Sequence, residues 1–284
     1  STRRCEAQGS DMSHRVSSWL VNVGAALIGL LVLAPLLWMV SVSLMATGEA
    51  AAFPPPLLPT APTLAHYRTL FVDYGVGRYL LNSTLLAAAA TALALLFTLP
   101  AGYAFAKLRF RGRNRMFQIL VGALVIPGQI GMLPLFLQLK YLGLVNSYAG
   151  ALVPWLAGIF GIFLVRQYAL SVPDEMIEAG RVDGASEWQI FRRLVLPALT
   201  PVIVTLAIFV FLGSWNDFIW PLIILSDQDL YTLPVALAAL SREHVQDNEL
   251  MMAGSVVTTL PVLIVFLALQ RYYLSGLMAG SVKG

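Results

Sequence analysis

Charged residues are scarce in this chain of 284 residues, and cysteine is almost absent. Only 12% of the residues are charged and 58% are hydrophobic, whereas soluble domains hold about 25% charged and roughly 45–50% apolar residues. The single cysteine, Cys5, excludes an internal disulfide and a cysteine-rich metal site. The composition therefore indicates an integral membrane protein, and we expect no metal site in it.

The motifs of common hydrolytic enzymes are missing as well. None of the lysines follows a glycine, so the chain has no Gly-Lys-Ser/Thr phosphate loop with which to hydrolyse ATP. His14, His66 and His244 lie far apart, and neither His-Glu-x-x-His nor Gly-x-Ser-x-Gly occurs. We therefore expect no catalytic residues and no cofactor in this chain. The sequence is more typical of a protein that provides a path across the membrane than of an enzyme.

Long apolar runs are what the sequence has in abundance. A bilayer is crossed by about 20 consecutive, mainly apolar helical residues, and six segments meet that length. The predicted fold is an all-α, polytopic helical bundle with six transmembrane helices and both termini on one side of the membrane. The predicted spans are residues 19–45, 79–106, 116–139, 148–166, 202–225 and 254–274.

The distribution of basic residues predicts which side that is, because cytoplasmic loops carry most of the Lys and Arg. With the N-terminus inside, only Arg68, Arg78, Lys140 and Arg242 lie outside. The predicted inner set is Arg3, Arg4, Arg15, Lys107, Arg109, Arg111, Arg113, Arg115, Arg166, Arg181, Arg192, Arg193, Arg271 and Lys283. We therefore expect both termini to be cytoplasmic.

The densest basic stretch, "KLRFRGRNR" (107–115), joins two predicted spans. We interpret it as an orientation signal beside anionic lipid rather than as a binding patch, so no nucleic-acid partner is expected. Residues 1–18 form a predicted cytoplasmic tail ahead of a membrane domain at 19–284. Residues 1–11 precede Met12 and are either native or added sequence, so the fold prediction uses none of them.

Two predicted outer loops contain short helical patterns. The first, 46–78, begins with "FPPPLLPTAP", which favours extended backbone. Next, "TLAHYRTLF" places Leu64, Tyr67, Leu70 and Phe71 on one helical face, for membrane-surface packing or for contact with an outside partner. The second loop, 226–253, predicts a short helix after Pro234.

Prolines recur within the predicted spans. Each removes a backbone donor and favours a kink, which persists in lipid only where protein or water satisfies the freed carbonyl groups. They indicate a bundle with a cavity, although proline is also more frequent in membrane helices generally. The residues are Pro100, Pro127, Pro134, Pro154 and Pro221.

One acidic residue, Asp217, lies inside a predicted span, in the outer half of the membrane. An intramembrane carboxylate usually faces a bundle interior or water. With Trp215 and Asn216 beside it, and Trp220 nearby, it is a candidate for the substrate pathway. The alternative is a helix-end group capped by Asn216, with the tryptophans as interfacial anchors.

Between the fourth and fifth predicted spans lies the segment "EAGRVDGASEWQIFRRLVLPALTP" (178–201), which is unusually charged for this chain. Upstream, "LSVPDEM" predicts a helix start capped by Ser171. Asp183-Gly184 predicts a turn, and Ser186 is the expected N-cap of a second helix. Trp188, Phe191, Leu194 and Val195 recur along that second helix at helical spacing.

Such a helix-turn-helix at the cytoplasmic end of a bundle fits two roles. It is either a rigid handle, with the small residues Ala179 and Gly180 on a face that another protein approaches, or an amphipathic connector packed on its own bundle. A handle would tilt the attached spans when it is pushed. Physical reasoning about the residues leaves both interpretations open.

The segment resembles the EAA loop of ABC importer permeases, specifically the carbohydrate-uptake branch that includes the maltose permease pair. Further similarities are "PLLPTAPTLAHYRTLF" (56–71), "NSTLLAAAATALALLFTLPAGYAFAKLRF" (82–110) and "WNDFIWPL" (215–222). The ending "GLMAGSVKG" (276–284) is similar to the smaller permease of that pair. The loop, at about 171–198, carries the resemblance at Glu178, Ala179, Gly180, Asp183, Gly184, Ala185, Phe191, Leu196 and Pro197.

The resemblance implies a permease subunit that moves a sugar or oligosaccharide across the cytoplasmic membrane of a bacterium by alternating access. Glu178 would be the charged contact with a cytoplasmic ATPase dimer, Asp183-Gly184 the turn, and Trp188 and Phe191 the apolar anchors. The ATPase would bind the ATP and Mg²⁺. The resemblance also implies a second, homologous permease chain, an extracytoplasmic sugar-binding protein and surrounding lipid.

Two positions depart from the family pattern. Gly180 stands where the family usually has a second alanine, which weakens that helical turn by up to about 1 kcal/mol. Asp217 occupies a position where glutamate and other residues are also common. These departures leave the small face of the first helix intact but put a fixed role for Asp217 in doubt.

Two other classes of protein are weighed against the importer. An ion-coupled secondary sugar carrier needs coupling-ion ligands in its spans, often with internal repeats, and Asp217 alone gives it little support. A membrane enzyme is disfavoured by the missing catalytic motifs. A proton or sodium gradient would drive uptake by a carrier and would leave an ATP-driven importer unaffected.

Overall fold

A computed structural model describes the backbone of residues 2–243 and 247–281, and the side chains of 19, 21–242 and 247–268. The side chains of Cys5, His14 and His244 lie outside the described residues, as do those of Arg3, Arg4, Arg15, Arg271 and Lys283. The same is true of every side chain in the "GLMAGSVKG" ending. The described residues form helices joined by turns and loops, with no strand among them.

The helices are α1 (Thr2–Ser43), α2 (Ala65–Arg68), α3 (Val76–Lys107), α4 (Arg113–Gly122), α5 (Met132–Tyr141), α6 (Tyr148–Leu152), α7 (Ile159–Leu170), α8 (Asp174–Val182), α9 (Glu187–Ile190), α10 (Leu196–Ala198), α11 (Thr200–Trp215), α12 (Ile219–Ile224), α13 (Leu233–Glu243) and α14 (Asn248–Ser281).

Among the described residues, three of the six predicted spans are single long helices. These are Val21–Ser43, Val76–Lys107 and Asn248–Ala268. Three further helix pairs, each bent at a short break, have the apolar composition of a span. The pairs are Arg113–Val125 with Gly128–Tyr141 (98°), Tyr148–Trp155 with Ile159–Leu170 (43°), and Glu187–Ala198 with Thr200–Trp215 (79°). In the third pair the first helix belongs to the charged segment 178–201, and the span predicted at 202–225 corresponds to α11 and α12.

The prolines account for part of this pattern. Pro127 lies at the sharpest break, and Pro154 lies in the turn of 3-10 helix before the 43° bend, as predicted. Pro134 and Pro221 instead occupy the first turns of α5 and α12, where no intrahelical bond is lost. Pro100 lies inside α3, which continues unbroken across it. The helix therefore does not break at these three positions.

The contacts divide the chain into two compact units. In the unit formed by residues 1–73 and 244–257, the apolar side chains of α1 are largely exposed, as lipid-facing side chains are. Its loop helix α2 continues as one wide turn, Thr69–Asp73. Buried His66 and Leu70 hold this helix, whereas predicted Leu64 is 67% exposed. The His66 Nε2 atom lies 2.9 Å from the Met45 carbonyl oxygen.

In the unit formed by residues 74–243 and 258–284, α3 packs against α7 and α11. Small residues permit the close approach, as at other membrane helix interfaces. A Cβ atom on Gly102 would lie 2.5 Å from Cγ1 of Val165 on α7. A Cβ atom on Gly161 would lie 3.2 Å from Cδ1 of Leu206 on α11. These three helices form the frame on which the candidate site is built.

The two ends of this frame differ in charge. The basic end, defined as residues 107–115 and 171–198, carries the arginine-rich turn and the helix pair α8 and α9. At the opposite end, defined as residues 142–147 and 225–232, the side chain of Asn146 accepts hydrogen bonds from the backbone of Ser226 and Asp227 at 2.9 Å. Helix α13 follows this end, where a short helix was predicted after Pro234.

Candidate functional site

The first helix of the pair begins where the sequence predicts, at Asp174, but Ser171 does not cap it. The Ser171 hydroxyl donates instead to the Tyr168 carbonyl oxygen at 2.7 Å, in the last turn of α7. Pro173 precedes α8 and makes no side-chain cap. The capping prediction was wrong because α7 ends only one residue before Ser171, which leaves this hydroxyl beside carbonyl groups of α7.

The turn between the two helices is as predicted. Gly184 has a φ of 80°, a left-handed conformation that glycine adopts at little cost. The Gly184 N–H donates to the Arg181 carbonyl oxygen, and the Ala185 N–H to that of Gly180, both at 3.0 Å. These bonds satisfy carbonyl groups at the end of α8 and fix the direction in which the chain leaves it.

The second helix has the predicted N-cap. The Ser186 hydroxyl accepts from the Gln189 N–H, and the Gln189 side chain accepts from the Ser186 N–H at 2.8 Å, which completes a capping box. Residues Phe191–Val195 then form one wide turn of π-helix, and Leu196–Ala198 returns to α-helix. The chain bends by 79° into α11, so the pair lies across the end of that span.

The predicted coupling residues separate into an exposed and a buried group. Glu178, Ala179, Asp183, Gly184 and Trp188 are exposed, and we call these five residues the exposed face. Trp188 is 62% exposed, and Val182, the last residue of α8, is 87% exposed and was not singled out from the sequence. Large apolar side chains that are exposed on the same helix pair as exposed charged residues are suited to contact with another protein.

Three of the predicted coupling residues lie outside the exposed face: Phe191, Leu196 and Pro197. Phe191 is only 5% exposed and belongs to the core of this chain, with its ring 5.2 Å from that of Tyr103. Its ring centroid is also 5.5 Å from that of Trp188, so it supports the exposed indole from beneath. Leu196 is half-buried against the same core, and Pro197 is exposed beyond the second helix.

Gly180 is buried, and its small size allows α8 to pack closely against the second helix of the pair. A Cβ atom there would lie 3.1 Å from Cδ1 of Leu194 and 3.2 Å from Cγ1 of Ile190. The small face predicted for the approach of another protein is therefore turned, at Gly180, toward the chain's own second helix. Only Ala179 of the two small residues is exposed.

A polar network joins the helix pair to α3. The Tyr103 hydroxyl donates to Oε2 of Glu187 at 3.1 Å, while Oε1 of Glu187 lies 2.7 Å from Nε of Arg181. The hydrogen bond from Arg181 holds the pKa of the Glu187 carboxyl below its usual value. One carboxylate thus ties α8, α9 and the second span together.

A second connection runs from the last turn of α3. The Lys107 ammonium group donates to the Val172 carbonyl oxygen and to Oδ1 of Asp174, both at 2.6 Å. Only 6% of the Lys107 side chain is exposed, whereas Asp174 is 74% exposed. In the sequence, Lys107 was interpreted only as part of the orientation signal. The residues around it do not predict a contact with Asp174, which is distant in the chain.

The three candidate pathway residues do not act together. Trp215 is 1% exposed, and its indole N–H donates to the Thr258 carbonyl oxygen at 3.2 Å. Asn216 is exposed and donates back to the Leu212 carbonyl oxygen at 2.9 Å, so it does not cap Asp217. Asp217 lies at the break between α11 and α12 and accepts from the Trp220 N–H at 3.4 Å.

Asp217 lines a cavity of about 430 Å³, which we call the Asp217 cavity. Its walls include Met132, Leu135, Trp155, Gly213 and Trp220. A second cavity of about 330 Å³, the Thr98 cavity, is lined by Thr98, Gly161, Leu206 and Phe209, and again by Trp155. Both volumes are within the range of about 300–1,000 Å³ that is typical of small-molecule sites. The sequence predicted a cavity but did not identify Trp155.

Comparison with known proteins adds independent evidence. Residues 98–277 match the family described as "Binding-protein-dependent transport system inner membrane component". The arabinooligosaccharides transport system permease protein AraQ of Halalkalibacterium halodurans is 37% identical over 276 residues, which cover 95% of this chain and 98% of that protein. The lactose transport system permease protein LacG of Rhizobium radiobacter is 34% identical over 76% of this chain and 78% of its own length.

The diacetylchitobiose uptake system permease protein NgcG of Streptomyces coelicolor is 33% identical over 89% of this chain and 83% of that protein. Among solved structures, the fold is similar to that of a bacterial ABC transporter involved in the import of the acidic polysaccharide alginate. That match has a TM-score of 0.80 and 24% identity, and it covers 92% of this chain and 98% of that one.

Proposed function

Because this chain belongs to the family of binding-protein-dependent transport system inner membrane components, we propose that it is the permease subunit of an ATP-driven sugar importer. Such an importer moves its substrate across a bacterial inner membrane by alternating access. The family and the apolar helices make the chain a multi-pass protein of that membrane. The sugar, the motor and the other partners are part of this proposal.

The observation that carries the proposal is the exposed face of the helix pair, held rigidly on the bundle. Glu178 and Trp188 are accessible, while Lys107 and Tyr103 fix the same two helices to α3. A force applied to this face is therefore delivered to the second and fifth spans rather than absorbed by a loose loop. Rigid elements with two arrangements are what couples distant sites in switching proteins.

We assign the force to a separate cytoplasmic ATPase dimer that binds ATP and Mg²⁺, and we propose no cofactor for this chain. Glu178 supplies the charged contact, and Trp188 and Val182 supply the exposed apolar ones. Phe191, which was expected to be an anchor, acts instead by supporting Trp188 from the core. The basic end faces the cytoplasm in this proposal, in accord with the excess of arginine there.

Two further partners complete the transporter. A second, homologous permease chain closes the pathway, and an extracytoplasmic sugar-binding protein delivers the substrate to the opposite end. The alginate transporter has been solved in complex with a pentasaccharide-bound periplasmic protein, and its fold is similar to that of this chain. The names of the relatives, which specify arabinooligosaccharides, lactose and diacetylchitobiose, support a small oligosaccharide as substrate.

Uptake in cells with altered helix pairs tests this function. Glu178→Lys reverses the exposed charge, and Gly184→Pro forbids the left-handed turn. Both variants should insert normally and lose ATP-driven uptake, because neither alters a span. Glu175→Lys, one turn earlier on α8, is the control and should retain most of the uptake.

Full ATP-driven uptake by either variant contradicts the docking role. Uptake that follows an imposed proton or sodium gradient, and that continues after ATP is depleted, supports the ion-coupled carrier instead.

A further inference from the structure

Trp155, together with Pro154 before it, lines both cavities. It ends the turn of 3-10 helix Val153–Trp155, just before the 43° bend into α7. The Asp217 cavity uses residues late in α11, such as Gly213, whereas the Thr98 cavity uses Leu206, about 10 Å earlier along that helix. The indole of Trp155 therefore lies between two spaces that succeed one another along the fifth span.

The hydrogen-bonding state of Trp155 differs from that of the neighbouring tryptophans. Trp215 donates its indole N–H to the Thr258 carbonyl oxygen, and Trp220 donates to that of Gly150, both at 3.2 Å. Trp155 is half-buried, yet its N–H has no partner in the part of the chain that the structure describes. The Trp155 N–H is not fully buried, so it remains accessible as a donor to a ligand, whereas the N–H groups of Trp215 and Trp220 are already bonded within the chain.

The chain makes room for this ring at Gly213. A Cβ atom on Gly213 would lie 2.9 Å from Cη2 and 3.1 Å from Cζ3 of Trp155. Any larger residue would push the indole out of its position between the cavities. The placement of the ring thus depends on a specific small residue in the facing helix.

Asp217 supplies the complementary acceptor in the same cavity. Its carboxylate accepts from the backbone N–H groups of Trp220 and Ile219. An ionised carboxylate has about four acceptor positions, so capacity remains for further donors. The cavity therefore offers an indole ring, a free N–H donor and a carboxylate acceptor, with apolar Met132 and Leu135 around them.

We propose that the Asp217 cavity is a sugar subsite within this chain, with Trp155 as the residue on which the sugar ring packs. A pyranose or furanose presents an apolar C–H face to an aromatic ring and hydroxyl groups that both donate and accept. A lipid chain would leave the carboxylate and the N–H without partners, and a bare cation would meet one carboxylate only. The proposal rests on the importer function proposed above, and it places substrate contacts in this subunit.

The test uses the whole transporter in proteoliposomes, with its partner permease, ATPase and binding protein. The probes are arabinotriose, lactose and diacetylchitobiose, and two rates are measured: sugar moved and ATP hydrolysed. Trp155→Ala should lower the sugar moved per ATP about tenfold while loaded binding protein still stimulates ATP hydrolysis. Trp155→Phe, which keeps a ring and loses the donor, should lower it roughly threefold, as expected for one neutral hydrogen bond.

Two glycine variants separate the subsite from general packing. Gly213→Ala displaces the Trp155 ring and should reduce sugar per ATP, whereas Gly122→Ala, which lies outside both cavities and has no atom within 4 Å of the added carbon, should not. An unchanged ratio in both Trp155→Phe and Gly213→Ala overturns the subsite, as does a parallel loss of transport and ATP hydrolysis. A wild-type transporter that moves none of the three sugars with ATP overturns the importer function itself.

Discussion

The Nζ atom of Lys107 lies 2.6 Å from Oδ1 of Asp174, although the two residues belong to different helices and are far apart in the sequence. The same ammonium group binds the Val172 carbonyl oxygen. The last turn of the second span is therefore fastened to the first turn of α8. This contact, together with the Tyr103 bond to Glu187, makes the helix pair part of the bundle.

Lys107→Met should weaken this attachment while leaving the span apolar. The bond to the Val172 carbonyl is charge-assisted and largely shielded, so its loss should cost about 1.5–3 kcal/mol of stability. We expect a lower melting temperature of the purified protein and reduced ATP-driven uptake. Lys140→Met, in the last turn of α5, is the matched control and should change neither quantity. Equal effects of the two substitutions would contradict the attachment.

Gly184→Ala and Gly112→Ala form a matched pair. Both glycines have positive φ, 80° and 83°, and neither has any atom within 4 Å of an added Cβ. Each substitution should therefore cost a similar backbone strain of about 1–2 kcal/mol. Only Gly184→Ala should also reduce sugar uptake, because it alone alters the turn between α8 and α9. The measurement is uptake normalised to the amount of protein in the membrane.

The Glu187 carboxylate should make stability dependent on pH in acid. Its folded pKa is lowered below the usual 4.5 by the hydrogen bond from Arg181, so its stabilising contribution is complete above pH 4.5 and is lost as pH falls through the folded pKa. The melting temperature of the wild type should fall more steeply below that pH than that of Glu187→Gln. Parallel curves would show that the network contributes nothing. Glu175→Gln is the control and should follow the wild type.

Gly102→Ala should loosen the packing of α3 on α7. The added methyl group would lie 2.5 Å from Cγ1 of Val165 and 3.1 Å from the Arg166 backbone nitrogen, so the helices must move apart. Overpacking of this kind costs about 1–3 kcal/mol. Gly122→Ala, with no atom within 4 Å, should leave the melting temperature the same or slightly higher. A neutral Gly102→Ala would show that this interface is less tightly packed than described.

Asp217→Asn should reduce transport less than Glu178→Lys or Gly184→Pro. The amide oxygen of asparagine still accepts hydrogen bonds from the Trp220 N–H and from a sugar hydroxyl, whereas the two changes in the helix pair remove the coupling. Initial uptake rates at equal expression compare the three variants. Complete loss of uptake in Asp217→Asn would assign the negative charge itself a larger role than acceptance of hydrogen bonds.

The membrane spans were predictable from the sequence because apolar length is a property of the local segment. The breaks within two of the predicted spans, 116–139 and 148–166, were predictable from Pro127 and Pro154. Pro100, with the same chemistry, lies in an unbroken helix. Whether a proline breaks a membrane helix depends on which neighbours satisfy the freed carbonyl groups, and those neighbours come from other parts of the chain.

The candidate site shows the same division. The Gly184 turn and the Ser186 cap were predicted correctly because both depend on adjacent residues. Phe191 was predicted to face a partner but lies in the core, and Trp155 and Lys107 were missed. Helical spacing shows that Phe191 shares a face with other apolar residues, but it does not show whether that face packs on the bundle or on a partner. The contacts of Trp155 and Lys107 involve residues that are distant in the sequence, so no local sequence pattern predicts them.

Helix α3 is held by side-chain hydrogen bonds near both of its ends. Near its start, the Asn82 amide donates to the carbonyl oxygens of Asp229 and Tyr231 at 2.9 and 3.0 Å. At the last residue of the helix, Lys107 binds the first residue of α8. Lys107 and Asn82 are separated by about 37 Å along the same unbroken helix. The second span thus links the two faces of the membrane through one unbroken helix. A rotation imposed on it at one face is transmitted to the other face without crossing a break between helices.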